Sequence, residues 1–270
     1  MSFIDVNSKK LYYEAYGEGD DIILLHHGFG SSGTWKSIYP CLAVHGYRIT
    51  VYDRRGYGRS DAGVDFDVFY ESERYRQESV EELELVKERL GIKECHLVGQ
   101  CEGGVIGIDY AVKHPSEIKT LTVASTQCYS EVSMAELNAM KFVDEFASLE
   151  AALQAKMVEW HGNNGEVRYN QFARYGGAYG KGYFDLRPIL PLVVCPTLIL
   201  YPDRSSIFGV EQAVAFYRHL SKGELAVFPK CGHNTYDQRP EDYARTVLDF
   251  IARNTKGAEA RTMSPATCLA

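Results

Sequence analysis

At 270 residues, with 45% hydrophobic side chains, the chain is long enough to bury one sizeable core and is expected to form a single globular unit. Its 29 Lys and Arg lie scattered among 36 Asp and Glu, for a net charge of −7, which argues against nucleic acid or an anionic membrane surface as a partner. The N-terminus has no apolar signal core and no stretch approaches the ~18 apolar residues of a bilayer span, so a cytoplasmic protein without a membrane partner is expected.

Leu11–Tyr16 alternates as a half-exposed strand does, and Gly17-Glu18-Gly19-Asp20 breaks it. Ile22-Ile23-Leu24-Leu25 is a continuous apolar run, the pattern of a strand covered on both faces. It runs into His26-His27-Gly28-Phe29-Gly30, a loop whose backbone N–H groups can stabilise charge on a substrate oxygen. Residues 47–53 read as the next strand, followed by the turn-rich Arg54-Arg55-Gly56-Tyr57-Gly58-Arg59-Ser60-Asp61. A helix opens at Ser79, turns Leu83, Val86 and Leu90 to one face, and closes at Gly91.

Cys95–Val98 is a strand that runs into Gly99-Gln100-Cys101-Glu102-Gly103-Gly104. A side chain raised on a sharp strand-to-helix turn strains the turn residue, and its neighbours two before and two after must be small for the arms to pass. Gly99 and Gly103 meet that need, which puts Cys101 at the corner. The positive end of the helix beyond it favours a thiolate, so an acidified thiol is expected there.

Residues 119–125 add a strand. Between 130 and 187 the pattern changes to amphipathic helices and a Gly- and Tyr-rich stretch with no strand signal, expected to be a helical cap insertion over the site. Alternation then resumes, with strands over 196–201 and 224–228 and helices over 210–220 and 242–253. The expected fold is α/β, a mostly parallel central sheet with helices on both faces. The core takes residues 1–129 and 188–254, and 255–270 form a flexible tail. The seven cysteines contain no C-x-x-C pair and suggest neither a disulfide framework nor a metal site; reduced thiols are the simpler account.

His27-Gly28-Phe29-Gly30, the segment from Asp53 to Ser60, Gly99-x-Cys101-x-Gly103-Gly104, Asp185-Leu186-Arg187-Pro188 and Gly232-His233 follow one another in an order that resembles the α/β-hydrolase family. The nearest subgroup by pattern is its capped esterases, lactonases and C–C hydrolases. A cysteine at the elbow also resembles dienelactone hydrolases and polyhydroxyalkanoate synthases, which differ from this chain in length and organisation. The resemblance implies Cys101 as nucleophile where the family usually has Ser, His233 as general base, and the N–H groups of Phe29 and Glu102 as the oxyanion hole. The family's acid position falls on Ser205, which leaves Asp203 as the nearest carboxylate or a Cys101–His233 dyad without an acid. Trp160, His161, Tyr175 and Tyr179 are candidates to line the substrate pocket, and His26 is expected to be a structural hydrogen-bonder.

These readings point to a cofactor-independent hydrolase of a small-molecule ester, thioester or lactone acting through an acyl-Cys101 intermediate, with oligomer formation open. Acyl transfer or C–C bond hydrolysis on the same fold, or a ligand-binding protein with a degraded triad, are the alternatives.

Overall fold

The computed structural model describes residues 2–174 and 176–255. Eight strands form one sheet: β1 (Ser2–Val6), β2 (Lys9–Tyr16), β3 (Asp20–Leu25), β4 (Tyr47–Tyr52), β5 (Cys95–Gln100), β6 (Ile118–Ala124), β7 (Thr197–Pro202) and β8 (Gly223–Phe228). Their order is β1-β2-β4-β3-β5-β6-β7-β8. The β1–β2 and β2–β4 pairs are antiparallel and every other pairing is parallel.

The apolar run of β3 is explained by its central position. Ile22 and Leu24 pack into one layer with Trp35, Val51 and Val247, whereas Ile23 and Leu25 pack into the other with Leu97, Ile106 and Phe216. Helices α1 (Tyr39–Val44), α2 (Phe66–Tyr70), α3 (Tyr75–Leu90) and α4 (Glu102–Lys113) precede β6, and α8 (Glu211–His219), α9 (Thr235–Gln238) and α10 (Pro240–Asn254) follow β7. Gly91 closes α3 in the left-handed conformation, at φ 68°. That helix starts at Tyr75 rather than Ser79, because the Tyr75 side chain is itself buried.

Between β6 and β7 the chain forms α5 (Met134–Lys141), α6 (Ala151–His161) and α7 (Gly165–Arg174), with an antiparallel bridge between Tyr129 and Asp185 closing the neck of the excursion. Met157, Trp160, Tyr169 and Ala173 form a small cluster within it, against which Phe29 of the core packs. Tyr175 and the tail from residue 256 lie outside the described residues. Among the described residues no helix is long and apolar enough to cross a membrane. Among the described residues five cysteines are free thiols, whereas Cys41 is disulfide-bonded, so the expectation of reduced thiols fails at that position.

Cys101 follows β5 and immediately precedes α4, at φ 51° and ψ −115°. A Cβ on Gly99 would strike the Gly103 carbonyl, and one on Gly103 would strike the carbonyls of Leu25 and His26. The corner therefore requires both glycines, and through Gly103 it is pressed against the end of β3. Gly103→Ala is expected to lower unfolding stability by about 3 kcal/mol or more, because the atoms it meets are backbone and cannot swing away. Urea denaturation tests this, and a loss under about 0.5 kcal/mol would show that the contact relaxes freely.

Candidate active site

Among the described free cysteines, Cys101 alone is not fully buried as a residue. Its Sγ lies 3.5 Å from Tyr179 Oη, and the Glu102 backbone N–H at the start of α4 also reaches it. Burial nevertheless pushes the thiol up to about 12, with the Glu102 carboxylate adding to the rise, against the lowering by Tyr179 and the Glu102 N–H. The expected acidified thiol is thus reversed: Cys101 is a neutral thiol at physiological pH, since one helix end does not outweigh desolvation beside a buried carboxylate.

His233 sits in the loop after β8, where its carbonyl accepts hydrogen bonds from Gln100 Nε2 (3.1 Å) and Ser125 Oγ (2.8 Å). The elbow strand and its neighbour β6 therefore hold the histidine loop. No Cys101–His233 hydrogen bond forms among the described residues. Burial lowers the imidazole to about 4, so it is neutral near pH 7.

Ser205 Oγ stands 3.2 Å from His233 Nδ1 and also accepts the backbone N–H groups of Ile207 (3.2 Å) and Phe208 (3.1 Å). A hydroxyl has two acceptor lone pairs and one proton. With both lone pairs engaged, Ser205 donates its proton to Nδ1, which leaves the ring proton on Nε2. That is the opposite of the tautomer a carboxylate at this place would impose. Asp203 does not supply one: it accepts from Cys231 N at 3.1 Å and pairs with Arg204 at 3.7 Å. The Cys231 N–H holds the Asp203 carboxyl below its ordinary range.

The loop after β3 is tied down from several sides. Phe29 N–H donates to His27 Nδ1 (3.2 Å), and His27 Nε2–H donates to Tyr236 Oη (2.9 Å). The Phe29 N–H thus points inward in this conformation, and of the two expected oxyanion donors only the Glu102 N–H lies at the sulfur. His161 Nδ1 accepts from Gly58 N (3.1 Å), so its Nε2–H donates to Phe29 O (2.9 Å). Trp160 packs edge-on to His27, with ring centroids 5.3 Å apart. Both residues therefore dock α6 onto the loop, while Tyr179 is the candidate pocket residue that touches the thiol.

The chain is similar over nearly its whole length to hydrolases of several kinds. It is 22% identical to a 2-hydroxy-6-oxo-6-phenylhexa-2,4-dienoate hydrolase of Burkholderia cepacia, covering 93% of this chain and 96% of that protein. It is 26% identical to a pimeloyl-[acyl-carrier protein] methyl ester esterase of Nitrosospira multiformis, covering 89% and 97%. The crystal structure of the enol-lactonase from Burkholderia xenovorans LB400 superposes with a TM-score of 0.75 at 18% identity, over 93% and 99% of the chains. The model of the alpha/beta hydrolase fold matches residues 21–148, which include the loop after β3, the Asp53–Ser60 segment and the elbow. The chain has the α/β-hydrolase fold.

On this α/β-hydrolase fold the elbow carries a thiol, and His233 Nδ1 faces a hydroxyl. The anchoring roles of Gln100 and Ser125 went unread in the sequence; φ 48° at Ser125 is a property of the folded backbone that composition does not announce. Ser205→Asp should replace the hydroxyl at Nδ1 with a carboxylate, move the ring proton to Nδ1 and raise the His233 pKa from about 4 toward the neutral range. An NMR pH titration of the imidazole reads this directly, and an unmoved titration would show that the carboxylate does not reach the ring.

Proposed function

We propose that this enzyme hydrolyses a small ester, thioester or lactone through an acyl-Cys101 intermediate, with His233 as the base. The observation that carries the reading is the left-handed Cys101 at the elbow, its sulfur touching the first N–H of α4. The named activities of the relatives support the hydrolase part of the reading, since a methyl ester, an enol-lactone and a 6-oxo dienoate all present a carbonyl carbon to a nucleophile.

In the proposed reaction Sγ bonds to the substrate carbonyl carbon while its proton passes to His233 Nε2, and the C–O or C–S bond to the leaving group breaks as that group takes the proton back. Water then attacks the thioester, and Sγ leaves with a proton. His233 must first expose a lone pair at Nε2. This needs Ser205 to release one of its two backbone N–H partners and accept Nδ1–H instead, a change that costs about 1 kcal/mol for the lost bond. The cycle is therefore expected to be slow compared with one supported by a carboxylate. The helices between β6 and β7 serve as a cap, with Tyr179 over the sulfur.

Incubation with p-nitrophenyl acetate should give a mass increase of one acetyl group on the intact protein, absent in Cys101→Ala. Acylation that survives that substitution overturns the reading. Because the thiol is held near 12, the rate of iodoacetamide alkylation at Cys101 should climb steadily from pH 7 to pH 10 without a plateau. A plateau near neutrality would mean a preformed thiolate. Product partition in the presence of an amine or thiol acceptor separates hydrolysis from acyl transfer. Acyl-ligand binding without turnover would point to a binding protein, the reading that Ser205 on His233 favours.

A further inference from the structure

Beneath the elbow lies an ion pair that the chemistry above leaves unused. Arg54, 2% exposed, donates from Nη1 to Glu102 Oε1 at 2.8 Å and to Tyr75 Oη at 3.1 Å. From Nη2 it donates to the carbonyls of His26 (3.2 Å) and His27 (3.4 Å), and its own backbone N–H donates to His26 Nε2 (3.2 Å). Glu102 is 3% exposed, and Oε1 also accepts from Tyr75 Oη at 2.8 Å. One guanidinium thus spans the loop after β3 and the residue that follows Cys101.

The pair makes little sense as a stabilising device. Removing two charges from water costs several kcal/mol each, and buried pairs are often no better than well-packed apolar residues of the same volume. Arg54 Nε, moreover, finds no partner among the described residues. What the fork supplies is fixed geometry: rigid, planar donors reach the His26 and His27 carbonyls on one side and the Glu102 carboxylate on the other. The Glu102 N–H lies at the sulfur, whereas the Phe29 N–H is held by His27 Nδ1 at 3.2 Å and has to turn outward to join it at an acyl oxygen, so the separation of the two segments decides whether both can meet that oxygen.

We propose that Arg54 is a positioning residue for acyl transfer, holding the His27–Phe29 loop and Glu102 at a fixed separation across the acyl oxygen. This rests on the acyl-Cys101 reading for its kinetic consequence, but the restraint itself is independent of it.

The double variant Arg54→Met/Glu102→Met removes both charges without stranding either. It is expected to unfold within a few degrees of the parent and to acylate from p-nitrophenyl acetate roughly 10- to 100-fold more slowly at saturation, with KM little changed. Alkylation of Cys101 by iodoacetamide at pH 9, which forms no oxyanion, should change less than about twofold. Equal losses in both reactions would assign the effect to the thiol and overturn the proposal, as would a folded variant that acylates at the parental rate. If the double variant does not fold, Arg54→Lys decides: a point charge cannot span both segments, so acylation within about twofold of the parent overturns the proposal. Hydrogen-exchange mass spectrometry of the peptides covering residues 27–29 and 102–104 is read in parallel. Faster exchange in the Arg54 variant, with none in Cys101→Ala, supports the restraint even if the parent forms no acyl adduct. Unchanged exchange overturns it, whatever the fate of the acyl-Cys101 reading.

Discussion

The backbone at Cys101 sets the position of everything else at the site. A non-glycine residue in that conformation costs on the order of 1–3 kcal/mol and persists only when its surroundings over-determine it. Here Cys101 N donates to Ala124 O at 2.7 Å, while its carbonyl accepts from Gly104 N at 2.9 Å and from Thr126 Oγ1 at 3.1 Å. Two glycines let α4 press against β5 and β3 closely enough for these bonds to form. The same strand end also supplies Gln100, which anchors the His233 carbonyl, so the elbow thiol and the histidine loop share one rigid origin.

Much of this was legible in the chain because the signals are local. The continuous run at Ile22–Leu25 names a strand covered on both faces, and the glycines flanking Cys101 name the turn. The first strand of the edge hairpin was not legible: Ser2–Val6 is short and mostly exposed, so it lacks both an apolar run and a strong alternation. Its turn uses Asn7 and Ser8 at φ 48° and 62°, conformations reached without a glycine. The electrostatics of the thiol were misjudged for a related reason. Helix direction can be read from a sequence, but the Glu102 carboxylate's burial beside the sulfur follows from packing of residues 54, 57 and 75 around it.

The histidines show how far side-chain chemistry depends on tertiary partners. His27, His161 and His233 are all driven low by burial, to about 3, 4 and 4. Each is neutral, yet each serves differently because its neighbours fix the tautomer. Backbone N–H groups at Phe29 and Gly58 claim the Nδ1 lone pairs of His27 and His161, which frees each Nε2–H to bridge to another element. His161 in this way carries the end of α6 onto Phe29, and Lys36–Glu159 at 2.5 Å reinforces the same docking at the surface. A protonated His161 would lose its Gly58 bond, so the docking depends on the ring remaining neutral.

The hydroxyl at His233 acquires meaning beside the thiol. An alcohol nucleophile needs its proton removed as it attacks, which calls for a strong, correctly oriented base and an acid to charge it. A thiol is the weaker acid-base problem, since its ordinary pKa lies far closer to neutrality than that of an alcohol, and even when buried it can pass its proton to a neutral imidazole in the course of attack. Under the proposed acyl-Cys101 reading the two departures offset one another: sulfur at position 101 lowers the demand on the base, and Ser205 leaves His233 a weaker base than a carboxylate would. A hydroxyl nucleophile served by an Nε2–H imidazole would lack the lone pair that has to take its proton.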